Sequence, residues 1–319
     1  LCETVGVPNR LLVQQPDGTA KDIAAAAGVD FLDQSAAALL LDLDHDGDQD
    51  LALATAAGLL LMANDGKAKF TEAAFHGLSP EPGSLSAADA DADGDLDLYV
   101  TRYFDAPGRF GATEWPVPMP YEDANNGAPN VYFRNDGGMT LVDATKDVGL
   151  DQNNRRFSFQ GTWEDPDDDG DQDLYVANDF GRNNLYRNEG GKFRDVAAEA
   201  GVEDISAGMG VTWGDFNGDA RMDLHVSNMF SSAGNRVAYQ RKFRLADGGE
   251  KLAHVQRHSR GNSLFQNMGD GTFRDVSLEA RITKGRWAWS SLFTDFNGDG
   301  REDILVANGY VTNDNPRDL

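Results

Sequence analysis

The run Asp42-Leu43-Asp44-His45-Asp46-Gly47-Asp48-Gln49-Asp50 puts a carboxylate at every odd position of nine residues. Oxygen ligands at positions 1, 3, 5 and 9, a backbone carbonyl at position 7 and a tight-turn glycine at position 6 make a cage for a hard cation of six to eight oxygens, and the ion that fits is Ca²⁺. The pattern recurs from Asp89, Asp165, Asp215 and Asp295. In the first three loops the side-chain ligands are expected to be Asp42, Asp44, Asp46 and Asp50; Asp89, Asp91, Asp93 and Asp97; and Asp165, Asp167, Asp169 and Asp173. In the last two, asparagine replaces the second acid, giving Asp215, Asn217, Asp219 and Asp223, then Asp295, Asn297, Asp299 and Asp303. The position-7 carbonyls are those of Asp48, Asp95, Asp171, Arg221 and Arg301.

A single copy also reads as a solvated acidic turn, because Asp, Asn and Gly favour turns without metal. Five copies in one register argue for the ion, since so many adjacent carboxylates repel one another unless a cation lies between them. The fourth loop is the exception in detail: Ala220 stands where the turn wants glycine. An EF-hand is excluded, because position 12 holds Leu53, Val100, Val176, Val226 and Val306 rather than a bidentate glutamate, and β-type runs follow where helices would stand.

The loops are therefore hairpin connections, and the elements around them repeat as well. Each unit reads as an apolar strand, the acid loop, a second strand, a third ending in a segment such as Asn184-Leu185-Tyr186-Arg187-Asn188, and a fourth such as Gly191-Lys192-Phe193-Arg194-Asp195-Val196. Ser263-Leu264-Phe265-Gln266-Asn267 with Gly271-Thr272-Phe273-Arg274-Asp275-Val276 is a second clear copy. Sequential four-stranded units of this length predict an all-β fold, a β-propeller whose radial packing buries both faces of each blade.

These motifs resemble the FG-GAP and VCBS repeats of integrin-like propellers, and more closely the bacterial relatives of cartilage acidic protein associated with ASPIC/UnbV. The resemblance spans nearly the whole chain and implies calcium-bearing blades, with up to five ions. It implies no reaction, because the fold hosts adhesins, lectins and enzymes alike.

With strands named A to D, the chain opens on C and D, at 9–13 and 19–23, and its last repeat runs through A and B to Ala307. The complementary halves predict five blades closed by the chain ends; part of a seven-bladed propeller is the alternative. We expect one domain over 1–319, with insertions at about 103–129 and 229–261.

Strand direction sends the A–B and C–D loops to one face and the B–C and D–A loops to the other. Both insertions are B–C loops, so they project opposite the acids. The first offers Arg109, Trp115 and Tyr121 as ligand contacts. The second offers Arg241, His254 and His258, with a short helix expected over 235–243. Arg182, Arg286 and Trp287 join the same face, which would suit a protein or glycan ligand and in particular an acidic one, through guanidinium forks. The bland reading is that these arginines neutralise neighbouring acids.

Composition narrows the partners. With 53 acidic and 28 basic side chains the net charge is −25, which argues against nucleic acid and anionic membranes. No apolar run approaches a membrane span. Cys2, the lone cysteine, rules out an internal disulfide and reads as an incidental thiol, with a lipid-modified cysteine as the alternative. Calcium loops of this kind fill outside the cytosol, so an extracellular, periplasmic or cell-surface location is expected. The leading expectation is a non-enzymatic binding or adhesion module. The alternative is a carbohydrate-active lyase or hydrolase, for which no Gly-x-Ser-x-Gly, P-loop or His-Glu-x-x-His motif speaks.

Overall fold

The β-type runs on either side of each acid loop pair with each other, and the pairing builds the whole molecule. The structure is a computed structural model that describes residues 1–2, 6–105, 117–243 and 249–309. It opens with the hairpin β1 (Leu12–Gln14) and β2 (Ala20–Asp22) and the short helix α1 (Ala24–Ala27). The first full blade is β3 (Ser35–Leu41), β4 (Asp50–Thr55), β5 (Gly58–Asn64) and β6 (Phe70–Gly77). The second is β7 (Pro82–Ala88), β8 (Asp97–Arg102), β9 (Val131–Asn135) and β10 (Leu141–Asp143). The third is β11 (Phe157–Glu164), β12 (Asp173–Asp179), β13 (Asn184–Asn188) and β14 (Phe193–Asp195), followed by helix α2 (Ala197–Ala200).

In the fourth blade, β15 (Gly208–Gly214) and β16 (Asp223–Asn228) are separated from β17 (Ser263–Asn267) and β18 (Phe273–Asp275) by helices α3 (Ser232–Ala238) and α4 (Gly249–His258). The fifth consists of β19 (Ala288–Thr294) and β20 (Asp303–Asn308). Every blade pairs antiparallel in chain order, with the acid loop joining strands A and B. The molecule is thus an all-β array of propeller blades, and both insertions fall in B–C connections.

Radial packing explains the composition of the strands. Each A strand lies against the next, β3 on β7, β7 on β11, β11 on β15 and β15 on β19, so the A strands line the axis. The B strands β4, β8, β12 and β16 are buried along their full length, which is why runs such as Leu174-Tyr175-Val176-Ala177 are apolar on both faces. Successive blades meet through a repeated aromatic contact, in which a B-strand ring stands edge-on to an A-strand ring of the next blade. Tyr99 meets Trp163 at 6.3 Å, Tyr175 meets Trp213 at 6.1 Å, and His225 meets Phe293 at 6.2 Å.

All five A strands also carry a β-bulge at the same place, skipping Ala36, Gly83, Phe159, Met209 and Trp289. A bulge re-aims one side chain without ending the ladder. Phe159 and Trp289 come from blades that are not neighbours, yet their rings lie 6.1 Å apart. They converge at the axis, on the insertion face.

The two half-blades stand apart among the described residues. β1 and β2 form their own sheet, packed on the first blade through Leu11, Ile23, Ala24 and Val29 against Leu51, Leu53 and Leu60. β20 bonds to β19 alone, and Leu292 and Leu305 are 54% and 52% exposed. The closing pair expected between the chain ends is not among the pairings of these residues.

In the first four loops the acid at position 9 ties the loop to the rest of its blade. Asp50 accepts the backbone N–H of Asn64 at 2.9 Å and of Leu43 at 3.0 Å. Asp97 accepts from Asn135 at 2.9 Å, Ala90 at 3.1 Å and the Tyr132 hydroxyl at 2.6 Å. Asp173 and Asp223 accept from Asn188 and Asn267, each at 2.7 Å. The side chains of Asn135, Asn188 and Asn267 then cross to the preceding blade, while that of Asn64 stays on its own, donating to Gln49 O at 2.9 Å. Asn135 donates to Leu43 O at 3.0 Å, Asn188 to Ala90 O at 2.7 Å and Asn267 to Pro166 O at 2.6 Å, each time the second residue of the preceding acid loop. Asn188 also reaches Gln172 O at 3.2 Å. Replacing it, Asn188→Ala, orphans two carbonyls at a buried position and is expected to cost about 2 kcal/mol in urea unfolding. An unchanged midpoint would remove the staple from the stability of the fold.

Candidate functional sites on two faces

The acid loops form one face, and their backbone follows from the sequence. Position 6 takes positive φ in every loop, at Gly47, Gly94, Gly170, Ala220 and Gly300, and Ala220 adopts φ 64° despite its side chain. In the first three loops carboxylates face one another: ligand oxygens of Asp42, Asp44 and Asp50, of Asp89, Asp91 and Asp93, and of Asp165, Asp167 and Asp169 each lie within 4.8 Å of one another. Several are buried without a donor, including Asp42 Oδ1, Asp89 Oδ1, Asp91 Oδ1, Asp167 Oδ1 and Asp173 Oδ2. Burial, reinforced by neighbouring carboxylates, pushes Asp91 and Asp167 above the usual carboxylate range. It pushes Asp97 up to about 6 and Asp173 up to about 7, against the backbone donors that pull each down. Oxygens turned inward without donors are what a cation of the all-oxygen class requires.

The last two loops satisfy their acids differently. Asp215 accepts the N–H groups of Gly218, Asp219 and Ala220 at 2.7, 3.0 and 2.8 Å, and Asp295 those of Gly298, Asp299 and Gly300 at the same distances. For Asp215 these bonds outweigh burial, and its carboxyl is lowered; Gly300 leads the same effect at Asp295. Asn217 donates to Asp219 at 3.1 Å, and Arg221 pairs with the same carboxylate at 3.4 Å. Asp223 keeps an unpartnered buried oxygen, and burial pushes it up to about 6. Asp303 is exposed, because the described part of the fifth blade has no strand-C asparagine to cover it. Among the described residues, the three-carboxylate groupings therefore fall in the first three of the five expected sites.

On the opposite face the two insertions meet over the third blade. Tyr121 of the first insertion lies 5.1 Å from Phe180 and 5.3 Å from His258 on α4, and Phe180 stacks on His258 at 6.1 Å. Lys251 on α4 reaches Glu122 at 3.5 Å. Phe180 sits at φ 59°, an uncommon conformation for a bulky residue, fixed by Ala124 N–H donating to its carbonyl at 2.6 Å. Arg109 and Trp115 lie outside the described residues. The expected helix in the second insertion runs over Ser232–Ala238, started early by Ser231, whose hydroxyl accepts from Gly234 N–H at 2.9 Å.

Most arginines on this face are committed. Arg182 bridges Asp123 at 2.9 Å and Glu203 at 2.6 Å, and Arg156 holds Asp123 at 2.5 Å. Arg257 joins Asp204 at 2.7 Å to Asp275, docking α4 on the blade, with Arg260 on Asp275 at 2.9 Å. His254 borders a cavity with Glu203, Arg257 and Asp275. Arg241, Arg286 and Trp287 are exposed, and Trp287 forms a β-bridge with Met229 at the base of the second insertion.

Sequence reasoning did not single out Asp179. It accepts the Tyr103 hydroxyl at 2.7 Å and Phe180 N–H at 3.0 Å, beneath the rings that converge at the axis. Burial pushes its carboxyl up to about 6, and none of the arginines above pairs with it. The available signal was its position: counted from the ninth acid of each loop, the other blades have Ala56, Tyr103, Met229 and Gly309 there, and only the third has an acid.

Comparison with known proteins places the repeat. The human protein described as "Cartilage acidic protein 1" (Homo sapiens) is 28% identical over 192 residues, 58% of this chain and 25% of that protein. Its mouse counterpart (Mus musculus) is 27% identical over 179 residues, 43% of this chain and 26% of that protein. The chain thus spans about a quarter of the length of these curated relatives. Among solved structures, an Agrocybe aegerita lectin recognising non-reducing terminal N-acetylglucosamine aligns over 94% of this chain and 83% of its own, with TM-score 0.36 and 15% identity. BBS1N in complex with ARL6DN aligns over 60% and 50%, with TM-score 0.36 and 13% identity. The model of the FG-GAP-like repeat matches residues 42–100, 165–226 and 252–306, more than half of the chain and all five of its acid loops, and the protein belongs to that family.

Proposed function

We propose that the protein is a calcium-stabilised extracellular binding module that engages a protein or glycan ligand through its insertion face. The observation that carries this reading is the separation of two chemistries onto opposite faces: carboxylate oxygens buried without donors on one, and exposed Tyr121, Trp287 and Trp289 beside two interlocked insertions on the other. Asp42, Asp44, Asp46 and Asp50, with their counterparts in the second and third loops, would hold the first three ions. The fourth and fifth loops would bind more weakly, because backbone N–H groups occupy both oxygens of their leading acids, whereas Asp42 and Asp89 each keep Oδ1 without a donor. The ion neutralises charge and fixes the loops. No helix among the described residues is long and apolar enough to cross a membrane, and sites of this ligand class fill at extracellular calcium.

Thermal unfolding with 5 to 10 mM calcium is expected to exceed that in EDTA by roughly 10 °C, the effect of about three sites at a few kcal/mol in total or more. Equal melting temperatures would remove calcium from the account. On a glycan and peptide array, binding is expected to vanish in EDTA and to weaken in Tyr121→Ala without a change in melting temperature. Binding that ignores both changes would place the ligand elsewhere.

One observation favours the second reading, a carbohydrate-active enzyme: Asp179 is a buried carboxyl at about 6, hydrogen-bonded to Tyr103, under the axial rings. Release of product from an acidic polysaccharide, lost in Asp179→Asn, would establish it. Stability gives an independent check on Asp179. Its folded pKa lies above the unfolded value of about 3.9, so the native state binds the proton more tightly, and stability is gained as pH falls from about 7 towards 4. Asp179→Asn is therefore expected to be more stable than the parent by about 2 kcal/mol at pH 8, the difference vanishing by about pH 4. Urea midpoints that differ equally at both pH values would refute this assignment.

A further inference from the structure

Four slots separate the described blades: at one strand-B position the first holds Ala52, the next two a buried tyrosine, and the fourth a histidine. Between the second and third blades, Tyr99 is buried and its hydroxyl accepts from Asn130 Nδ2 at 3.0 Å. Between the third and fourth, Tyr175 is buried, accepts from Asn183 Nδ2 at 3.0 Å and donates to Val202 O at 2.8 Å. In both, the phenol plugs the slot and the asparagine just before strand C closes over it.

Between the fourth and fifth blades the same strand position, Leu224-His225-Val226 against Leu174-Tyr175-Val176, carries histidine. The imidazole is fully buried and turns Nδ1 to Ser291 Oγ at 2.8 Å, while Nε2 is buried without a partner. Asn262, the counterpart of Asn183, keeps the backbone contact of its class, accepting from Asn228 N–H at 3.0 Å, but meets no phenol. A cavity of about 320 Å³ lies there, with His225 and Asn262 as polar groups and Ile282 and Ile304 as an apolar wall.

The charge of the slot is reversed as well. By repeat alignment, Lys284 stands where the preceding unit has Asp204, the acid that anchors α4, and Arg286 stands where it has Ser206. Both cations border the cavity, both are exposed, and neither forms an ion pair among the described residues. Arg286 is held at φ 58° while its carbonyl accepts Phe230 N–H at 2.6 Å, a strained backbone at the cavity wall. In a chain of net charge −25, two unpaired cations over a small, part-apolar cavity select for an anion.

We propose that this slot binds a small carboxylate-bearing ligand of the size of one sugar acid, its carboxylate paired with Lys284 and Arg286 and its ring against Ile282 and Ile304. The site lies beside the insertions and rests on the reading of their face as the recognition side, but not on Tyr121 or on the array ligand.

The test is calorimetry on the full chain in calcium, with D-glucuronate, D-galacturonate and D-glucose as probes. Saturable binding of at least one uronate is expected, with glucose about tenfold weaker or worse. Lys284→Gln with Arg286→Gln should weaken uronate binding by at least about tenfold, and His225→Tyr should abolish it by restoring the plug. Should His225→Tyr fail to fold, the double glutamine variant, on exposed side chains, decides alone. Tyr121→Ala should leave uronate binding intact, so loss of array binding with retained uronate binding overturns the insertion-face ligand and not the slot. No saturable uronate binding at about 10 mM, or undiminished binding in the double variant, would overturn the slot itself.

Discussion

A buried carboxylate that closes a loop and orders the strand beside it is the constraint on which this molecule depends. Asp97, Asp173 and Asp223 sit at the end of an acid run, yet what they touch is the backbone of an asparagine at the far end of the neighbouring strand. That asparagine then spends its amide on the loop of the blade before. Loop shape, strand-C register and blade-to-blade spacing are thereby set by one repeated pair of residues. A bond of this kind is worth little net, but leaving its buried groups unmet is costly, so the network acts more through what its loss would expose than through what its presence adds.

The two faces answer the same electrostatic problem in opposite ways. The chain carries nearly twice as many acids as bases, and charge cannot be left buried and alone. On the insertion face guanidinium groups fill the gap: Asp123 sits between Arg156 and Arg182, and Asp204 is enclosed by Arg257, Ser263 and Asn228. On the loop face Arg187 meets Asp167 at 3.1 Å, but among the described residues no such partner is built in for Asp42 or Asp89, and each keeps a buried Oδ1 without a donor. The fourth and fifth loops take a middle course, filling both oxygens of the leading acid with their own backbone N–H groups. Protein donors and a divalent ion are interchangeable solutions here, and the sequence distributes them by blade.

Local spacing made the loops legible, because every ligand position lies within nine residues, and strand alternation placed the insertions in the gaps between β8 and β9 and between β16 and β17. The asparagine staples were not legible in the same way. Asn188 and Ala90 are 98 residues apart, and no local pattern announces that a side chain crosses from one unit to the previous one. The fate of the arginines was equally hidden: Arg182 reads as a ligand contact until Asp123 and Glu203 are seen on either side of it. Asp179 and His225 are visible only as departures, an acid where other blades end strand B without one and an imidazole where two other slots hold a phenol. A departure from a repeat gains meaning only once contacts show what the repeat residue does.

The five aligned bulges carry a consequence for how such a molecule can change. A skipped residue has no cross-strand partner, so its identity is free of the ladder that holds the blade together. Ala36, Gly83, Phe159, Met209 and Trp289 range from no side chain to the largest, in the same backbone setting. The axis mouth is therefore a mosaic that point substitution can redraw one tile at a time, with the surrounding masonry left in place.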